Sequence, residues 1–176
     1  MKKTKALVSV IMGSDSDLPI MQETAQILEK FDVGYELEII SAHRAPHKIA
    51  EFAATARARG IKVIVTGAGG AAHLAGVTAA FTTLPVIGVP IKAKTLEGFD
   101  SLCSIVQMPP GVPVATVGIN GAKNAGLLAL QILAVSDEEL TKKLEEYKEQ
   151  ISDEFKNKNE KLAKIGYQKY VANLQK

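Results

Sequence analysis

The sequence predicts an α/β fold in which helices wrap a parallel sheet and a long helix ends the chain. Short apolar runs, several rich in β-branched residues, alternate with longer stretches whose apolar residues recur at helical spacing. Loops containing glycine, serine or proline separate the two kinds of stretch. Strands that alternate with helices in this way form parallel sheets, because each helix carries the chain back to the edge where the next strand begins.

Local signals define the first four elements. Residues 6–12 form a nearly continuous apolar run, which is typical of a strand buried on both faces. Apolar residues then recur at helical spacing until Gly34 ends the first helix. After a second strand, Pro46 opens the second helix, where its missing N–H would have no partner in any case. Gly60 ends that helix at a position that glycine commonly occupies.

The same alternation continues through residues 61–135 and gives three further strands, each followed by a helix. Right-handed crossovers are expected between consecutive strands because the strands themselves twist to the right. The predicted strands lie within residues 6–12, 35–40, 61–66, 84–90 and 112–117. The predicted helices cover residues 18–31, 46–59, 74–82, 101–106 and 124–135.

The composition changes after Ser136, where charged residues dominate and proline is absent. Glu139 follows Ser136 by three residues, which is the spacing of a helix-capping box. An apolar stripe at spacings of three and four then runs along residues 140–165. These features predict one long helix, with a break near residues 157–159 as the alternative.

The chain therefore divides into two predicted parts. Residues 1–136 form a single α/β catalytic domain, and residues 137–176 form a helical extension of it. An apolar stripe needs a surface to cover it. We expect that surface to belong to a neighbouring subunit, with the chain's own domain as the other candidate.

Length and composition limit the class of protein. The 176 residues are 47% hydrophobic, which suits one globular domain of ordinary size. The net charge is only +2 and tryptophan is absent, so nucleic acid is not an expected partner. No apolar run reaches the length of a membrane span. The single cysteine, Cys103, fits the reducing cytoplasm, and no His/Cys spacing predicts a metal site.

The loop after the second predicted strand carries the residues best suited to chemistry. Ser41, His43 and Arg44 lie together just before the second helix. The guanidinium of Arg44 suits a phosphate, and an imidazole such as that of His43 exchanges its proton near neutral pH. A polar loop with a capping serine and surface charges would have the same composition.

Two other loops are expected at the same edge, because the carboxyl ends of parallel strands meet there. The first contains Ser14, Ser16 and Asp17, whose hydroxyls suit a phosphate and whose carboxylate suits sugar hydroxyls. Helix capping by itself also accounts for these residue types. The third, residues 67–73, has glycines that let backbone approach a ligand closely. It ends at His73, which either lines the pocket or begins the next helix.

The third loop also fits a dinucleotide-binding pattern, which we reject. Gly67, Gly69 and Ala72 match the fingerprint G-x-G-x-x-A. That fingerprint requires an acidic residue about twenty positions later, and neither Asp nor Glu occurs between His73 and Leu96. The chain also lacks the ATP-binding P-loop and the nucleophile elbow of serine hydrolases.

Taken in order, the three loops resemble those of the 5-(carboxyamino)imidazole ribonucleotide mutase family of purine biosynthesis. The matching motifs are G-S-x-S-D, S-A-H-R-x-P and G-A-G-G-A-A-H-L-x-G. Further motifs extend the resemblance over roughly residues 7–150. Ala45, Ala75 and Pro110 depart from the family pattern, but none removes a side chain that we assign to chemistry.

The resemblance implies a three-layer α/β/α sandwich with a flavodoxin-like sheet, typically assembled as a homo-octamer. It also implies an isomerase that moves a carboxylate from the exocyclic nitrogen of an aminoimidazole ribonucleotide to a ring carbon. No metal or cofactor is expected, and released carbon dioxide is held in the pocket until it is added again. His43 matches the family's general acid/base. Positions matching substrate-binding or pocket residues are Ser14, Ser16, Asp17, Ser41, Arg44, Ala68, Gly69 and His73.

Two alternatives remain open at this point. One is direct carboxylation of the aminoimidazole ribonucleotide by free carbon dioxide. The other is a non-catalytic nucleotide-binding module, since a fold alone does not determine function.

Overall fold

The computed structural model describes residues 5–93 and 95–174. The chain forms two compact units, and the boundary between them along the sequence falls between Ser136 and Asp137. The first unit contains a five-stranded parallel sheet with the strand order β2-β1-β3-β4-β5. Its strands are β1 (Val8–Met12), β2 (Tyr35–Ile39), β3 (Val63–Gly69), β4 (Val86–Ile91) and β5 (Ala115–Thr116). Its helices are α1 (Leu18–Lys30), α2 (Pro46–Arg59), α3 (Leu74–Ala80), α4 (Phe99–Val106) and α5 (Ala122–Ala134).

Helices cover both faces of this sheet. On one face, Ile11 of β1 and Ile64 of β3 are fully buried in an apolar cluster with Ile49 of α2 and Leu74 of α3. On the other face lie α1 and α5, which pack against each other. The predicted three-layer α/β/α sandwich is thereby confirmed, and its strand order is that of flavodoxin-like sheets.

Two close contacts on the second face explain why glycine occurs inside regular elements. A Cβ atom added to Gly126 of α5 would lie 2.2 Å from Ile27 Cγ2, so α1 and α5 can cross closely only with glycine there. A Cβ atom on Gly67 would lie 2.3 Å from Met21 Sδ, so a larger residue in β3 would force the Met21 side chain of α1 to move. Thr24 adds a polar link, since its hydroxyl donates to the carbonyl of Ala122 at 2.7 Å.

The third and fifth strands differ from the sequence prediction. β3 continues through Gly69, because Gly67–Gly69 pair with Val89–Ile91 of β4. Glycine weakens a strand in isolation, but here pairing with β4 holds the backbone in place. β5 is shorter than predicted, and only Ala115 and Thr116 pair with β4. Pro113 lacks the N–H that a longer ladder would use.

The second unit consists of α6 (Glu138–Ile165) and α7 (Tyr167–Leu174). The predicted long helix is confirmed over 28 residues, without a break at residues 157–159, and it ends at Gly166. Its cap differs from the prediction: Asp137, rather than Ser136, accepts a hydrogen bond from the N–H of Leu140 at 2.9 Å. No described helix combines the length and apolar character that crossing a bilayer requires.

Candidate active site

A pocket of about 720 Å³ opens at the carboxyl ends of the central strands. This volume lies within the range of about 300–1,000 Å³ that is usual for small-molecule sites. The structure brings together every site residue predicted from the sequence. The pocket is lined by Ser14, Ser16, Asp17, Ser41, His43, Arg44, Ala68, Gly69 and His73, among others.

The loop after β1 is both a helix cap and a wall of the pocket. The backbone N–H of Ser14 donates to Asp17 Oδ2 at 3.1 Å, and Ser14 Oγ accepts from the N–H of Ser16 at 3.4 Å. Asp17 is only 7% exposed. Burial raises the pKa of its carboxyl above the ordinary value, although the hydrogen bond from Ser14 partly opposes this shift. Asp17 therefore has a fixed position and a partly desolvated carboxylate oxygen.

The loop after β2 holds Arg44 over the pocket. Ser41 Oγ accepts hydrogen bonds from the backbone N–H of Arg44 at 3.2 Å and from its Nε at 3.3 Å. Arg44 Nη2 also donates, at 3.4 Å, to the carbonyl of Gly13 in the loop after β1. These contacts position an exposed guanidinium while leaving several of its five N–H donors for a ligand.

The loops after β2 and β3 bring two histidines into contact. His43 Nε2 lies 2.7 Å from His73 Nδ1, and the rings meet edge to face with centroids 4.9 Å apart. One of these nitrogens must carry the hydrogen that the other accepts, so the tautomer of one ring sets that of the other. Both histidines are exposed to the pocket side of the molecule. A proton can therefore reach His43 either from a ligand or from His73.

The backbone after β3 makes a sharp turn between Gly69 and His73. Gly70 has a φ of 65° and Ala72 a φ of 40°, and the N–H of Ala72 donates to the carbonyl of Gly69 at 3.3 Å. Gly69 also approaches the end of β4, since a Cβ atom there would lie 3.3 Å from the carbonyl oxygen of Ile91. The turn thus forms a narrow wall made largely of backbone and small side chains.

One side of the pocket was not predicted from the sequence. Ile91, Lys92 and Ala93, at the end of β4, also line it. The backbone of Lys92 donates to Asn120 Oδ1 at 2.9 Å, and its ammonium group pairs with Glu97. The signal was available, because β4 ends at the same edge as β1, β2 and β3. The remaining lining residues are Leu74 and four members of the three predicted loops that were not singled out by themselves, Gly13, Ala42, Gly70 and Ala72.

Within the described ranges, no group of three or more His, Cys, Asp or Glu side chains is arranged to hold a metal ion. The pocket instead offers a guanidinium, hydroxyl groups, a carboxylate and two imidazoles. Such a set can bind a phosphorylated sugar and transfer protons. The absence of a metal requirement stays a prediction.

Comparison with known proteins agrees with the site. The AIR carboxylase family matches residues 7–154. The N5-carboxyaminoimidazole ribonucleotide mutase of Pyrococcus abyssi is 60% identical over 164 residues, covering 93% of this chain and 94% of that protein. The phosphoribosylaminoimidazole carboxylase of Candida glabrata is 55% identical over 167 residues, covering 95% of this chain but 29% of the yeast protein.

A solved structure shares the fold as well. The crystal structure of Treponema denticola PurE has a TM-score of 0.80 and 28% sequence identity, covering 92% of this chain and 99% of that one. The family match spans nearly the whole α/β unit and continues into α6. On the combined evidence of fold, site and sequence, the chain belongs to the AIR carboxylase family.

Proposed function

We propose that this chain is an isomerase of purine biosynthesis that converts 5-(carboxyamino)imidazole ribonucleotide to 4-carboxy-5-aminoimidazole ribonucleotide. The observation that carries the proposal is that Asp17, from the loop after β1, meets His43 and Arg44, from the loop after β2, in one pocket. The names of relatives such as the Pyrococcus abyssi mutase, which the chain matches over almost its full length, support it.

His43 acts as the general acid/base in this proposal. The reaction first breaks the bond between the exocyclic nitrogen and the carboxylate carbon, and that nitrogen takes up a proton as carbon dioxide leaves. The ring carbon then bonds to carbon dioxide and gives up its own proton. One imidazole can donate the first proton and accept the second. His73, 2.7 Å from His43, orients the ring and shares its proton.

The other predicted residues bind the ribonucleotide. Arg44 clamps the phosphate with the guanidinium donors that its contacts to Ser41 and Gly13 leave over. Asp17 accepts from the ribose hydroxyls. Hydroxyl and backbone groups around the phosphate and base are supplied by Ser14, Ser16 and Ser41, whereas Ala68 and Gly69 form the close wall near the reacting atoms.

The assembly, cofactor use and location of the protein are part of the same proposal. We propose a cytoplasmic homo-octamer that needs neither metal nor organic cofactor and takes a small ribonucleotide as its substrate. The long α6 helix supports the oligomer, because it exposes Phe155 and Ile151. Apolar side chains exposed along one helix are commonly covered by a partner.

The main alternative is a direct carboxylase, a reaction that the name of the Candida glabrata relative describes. A labelling experiment separates the two. The substrate would carry carbon-13 in its carboxylate, with unlabelled bicarbonate in the medium and no ATP. A mutase retains the label in its product, whereas carboxylation by free carbon dioxide dilutes it. Binding without any conversion would show a non-catalytic module instead.

A further inference from the structure

We infer that Ser101, a residue of α4 behind the pocket wall, is a positioning residue that keeps carbon dioxide from escaping between the two chemical steps. This inference rests on the proposed function. Ser101 is fully buried and does not line the pocket. It acts through the two backbone segments that it joins.

The Ser101 hydroxyl bridges two different parts of the pocket wall. Its oxygen accepts a hydrogen bond from the N–H of Gly70 at 2.9 Å. It also donates its hydrogen to the carbonyl of Ile91 at 2.8 Å. Gly70 belongs to the turn after β3 and Ile91 ends β4, and both line the pocket. A single buried hydroxyl therefore joins these segments just beyond the last pair of the β3–β4 ladder, Gly69 and Ile91.

A second residue of α4 supports the same turn. Ser104 Oγ donates to the carbonyl of Gly70 at 3.4 Å, so α4 contacts both backbone polar groups of this glycine. Ala72, two residues further on, has a φ of 40°, which residues other than glycine rarely adopt. Such backbone persists only where surrounding contacts hold it. The two serines of α4 supply such contacts at Gly70, and the Gly69 carbonyl supplies one at the N–H of Ala72.

Loss of the Ser101 hydroxyl would weaken the link between the turn after β3 and the end of β4. The N–H of Gly70 and the carbonyl of Ile91 would then lack their buried partner, and unpaired buried groups are costly. The turn would shift, or water would enter, to satisfy them. Gly69 would stay paired with Ile91 in the ladder, whereas the turn that starts at Gly70 would move away from the end of β4.

The reaction makes the outcome of such a gap measurable. After the nitrogen–carbon bond breaks, carbon dioxide either bonds to the ring carbon or leaves the pocket. In the first case the ring carbon loses its proton and the 4-carboxy product forms. In the second case the products are carbon dioxide and the aminoimidazole ribonucleotide, whose nitrogen has gained the proton. The ratio of aminoimidazole ribonucleotide to 4-carboxy product therefore measures how often carbon dioxide escapes from the pocket.

The test uses the full chain with Ser101→Ala and a substrate carrying carbon-13 in its carboxylate. We expect the share of aminoimidazole ribonucleotide to rise about tenfold, the factor that a barrier change of one hydrogen bond's size produces. The rate of the first bond cleavage should change much less, because His43 is untouched. Ser101→Cys keeps a weak donor and acceptor and should give a smaller rise.

Thr24→Val is the matched control. It also removes a buried hydroxyl that donates to a backbone carbonyl, that of Ala122, but away from the pocket. It should lower thermal stability similarly while keeping the wild-type product ratio. A wild-type ratio in folded Ser101→Ala, or an equal rise in Thr24→Val, would overturn the inference. If Ser101→Ala does not fold, a wild-type ratio in Ser101→Cys overturns it. Wild-type protein that forms no 4-carboxy product refutes the proposed function instead.

Discussion

Replacing Arg44 by alanine tests how the pocket recognises the phosphate. In the structure, the Arg44 side chain makes two long hydrogen bonds, at 3.3 Å to Ser41 Oγ and 3.4 Å to the Gly13 carbonyl. Such contacts orient the guanidinium without satisfying it. Its remaining donors are free to bind a phosphate in a bidentate manner.

The expected loss follows from that arrangement. A hydrogen bond to a charged group contributes about 1.5–3 kcal/mol, so Arg44→Ala should raise the dissociation constant of the ribonucleotide about 10- to 150-fold. Stability should change by less than about 0.5 kcal/mol, because the side chain is exposed. Arg44→Lys should keep part of the affinity, since it retains the charge but not the planar fork.

Calorimetry with the ribonucleotide and with its dephosphorylated nucleoside provides the assay. Wild-type protein should prefer the nucleotide strongly, and Arg44→Ala should lose most of that preference while binding the nucleoside as before. If the alanine variant discriminates between nucleotide and nucleoside as well as wild type does, Arg44 is not the phosphate ligand.

Two further predictions concern Asp17 and assembly. Folding raises the pKa of the Asp17 carboxyl, so the folded chain holds the carboxyl proton more tightly than the unfolded chain does. The stability that this proton gives the folded state is lost as the pH rises through the folded pKa. Asp17→Asn should thus unfold at a higher temperature than wild type at pH 7, and this difference in unfolding temperature should shrink as the pH falls toward the ordinary pKa of 3.8. The variant should also bind substrate more weakly. A temperature difference that does not depend on pH would contradict the prediction. Light scattering of the full chain should show an oligomer that Phe155→Glu weakens, because Phe155 is 61% exposed on α6; a monomeric wild type at micromolar concentration would refute it.

Elements with strong local signals could be predicted to the residue. α2 begins at Pro46 and ends before Gly60, as expected, because proline favours the first turn and Gly60 adopts a φ of 94°. The predicted cap of α6 was wrong: Asp137 caps the helix in place of Ser136, because both residue types suit a cap and no local signal selects between them. β3 extends past its predicted end because pairing with β4 outweighs the low strand preference of glycine.

Part of the candidate site could also be predicted from the sequence. Parallel topology alone brings the loops after β1, β2 and β3 to one edge, so their polar residues could be grouped from the sequence alone. The contact between His43 and His73 could not, because it joins residues thirty positions apart through the particular course of two loops. The bridge from Ser101 to Gly70 is likewise a tertiary contact, and no local pattern of sequence indicates it.

The most direct test of the proposed chemistry is the activity of His43→Asn beside that of His47→Asn. Asparagine keeps a polar side chain but cannot carry a proton at neutral pH, and His47 is exposed one turn along the chain from His43, on α2 and outside the pocket. Conversion of 5-(carboxyamino)imidazole ribonucleotide to its ring-carboxylated isomer should fall by about 10²–10⁴-fold in His43→Asn. His47→Asn should remain active, and circular dichroism should show both variants folded. A fully active His43→Asn protein would contradict the assignment of His43 as general acid/base.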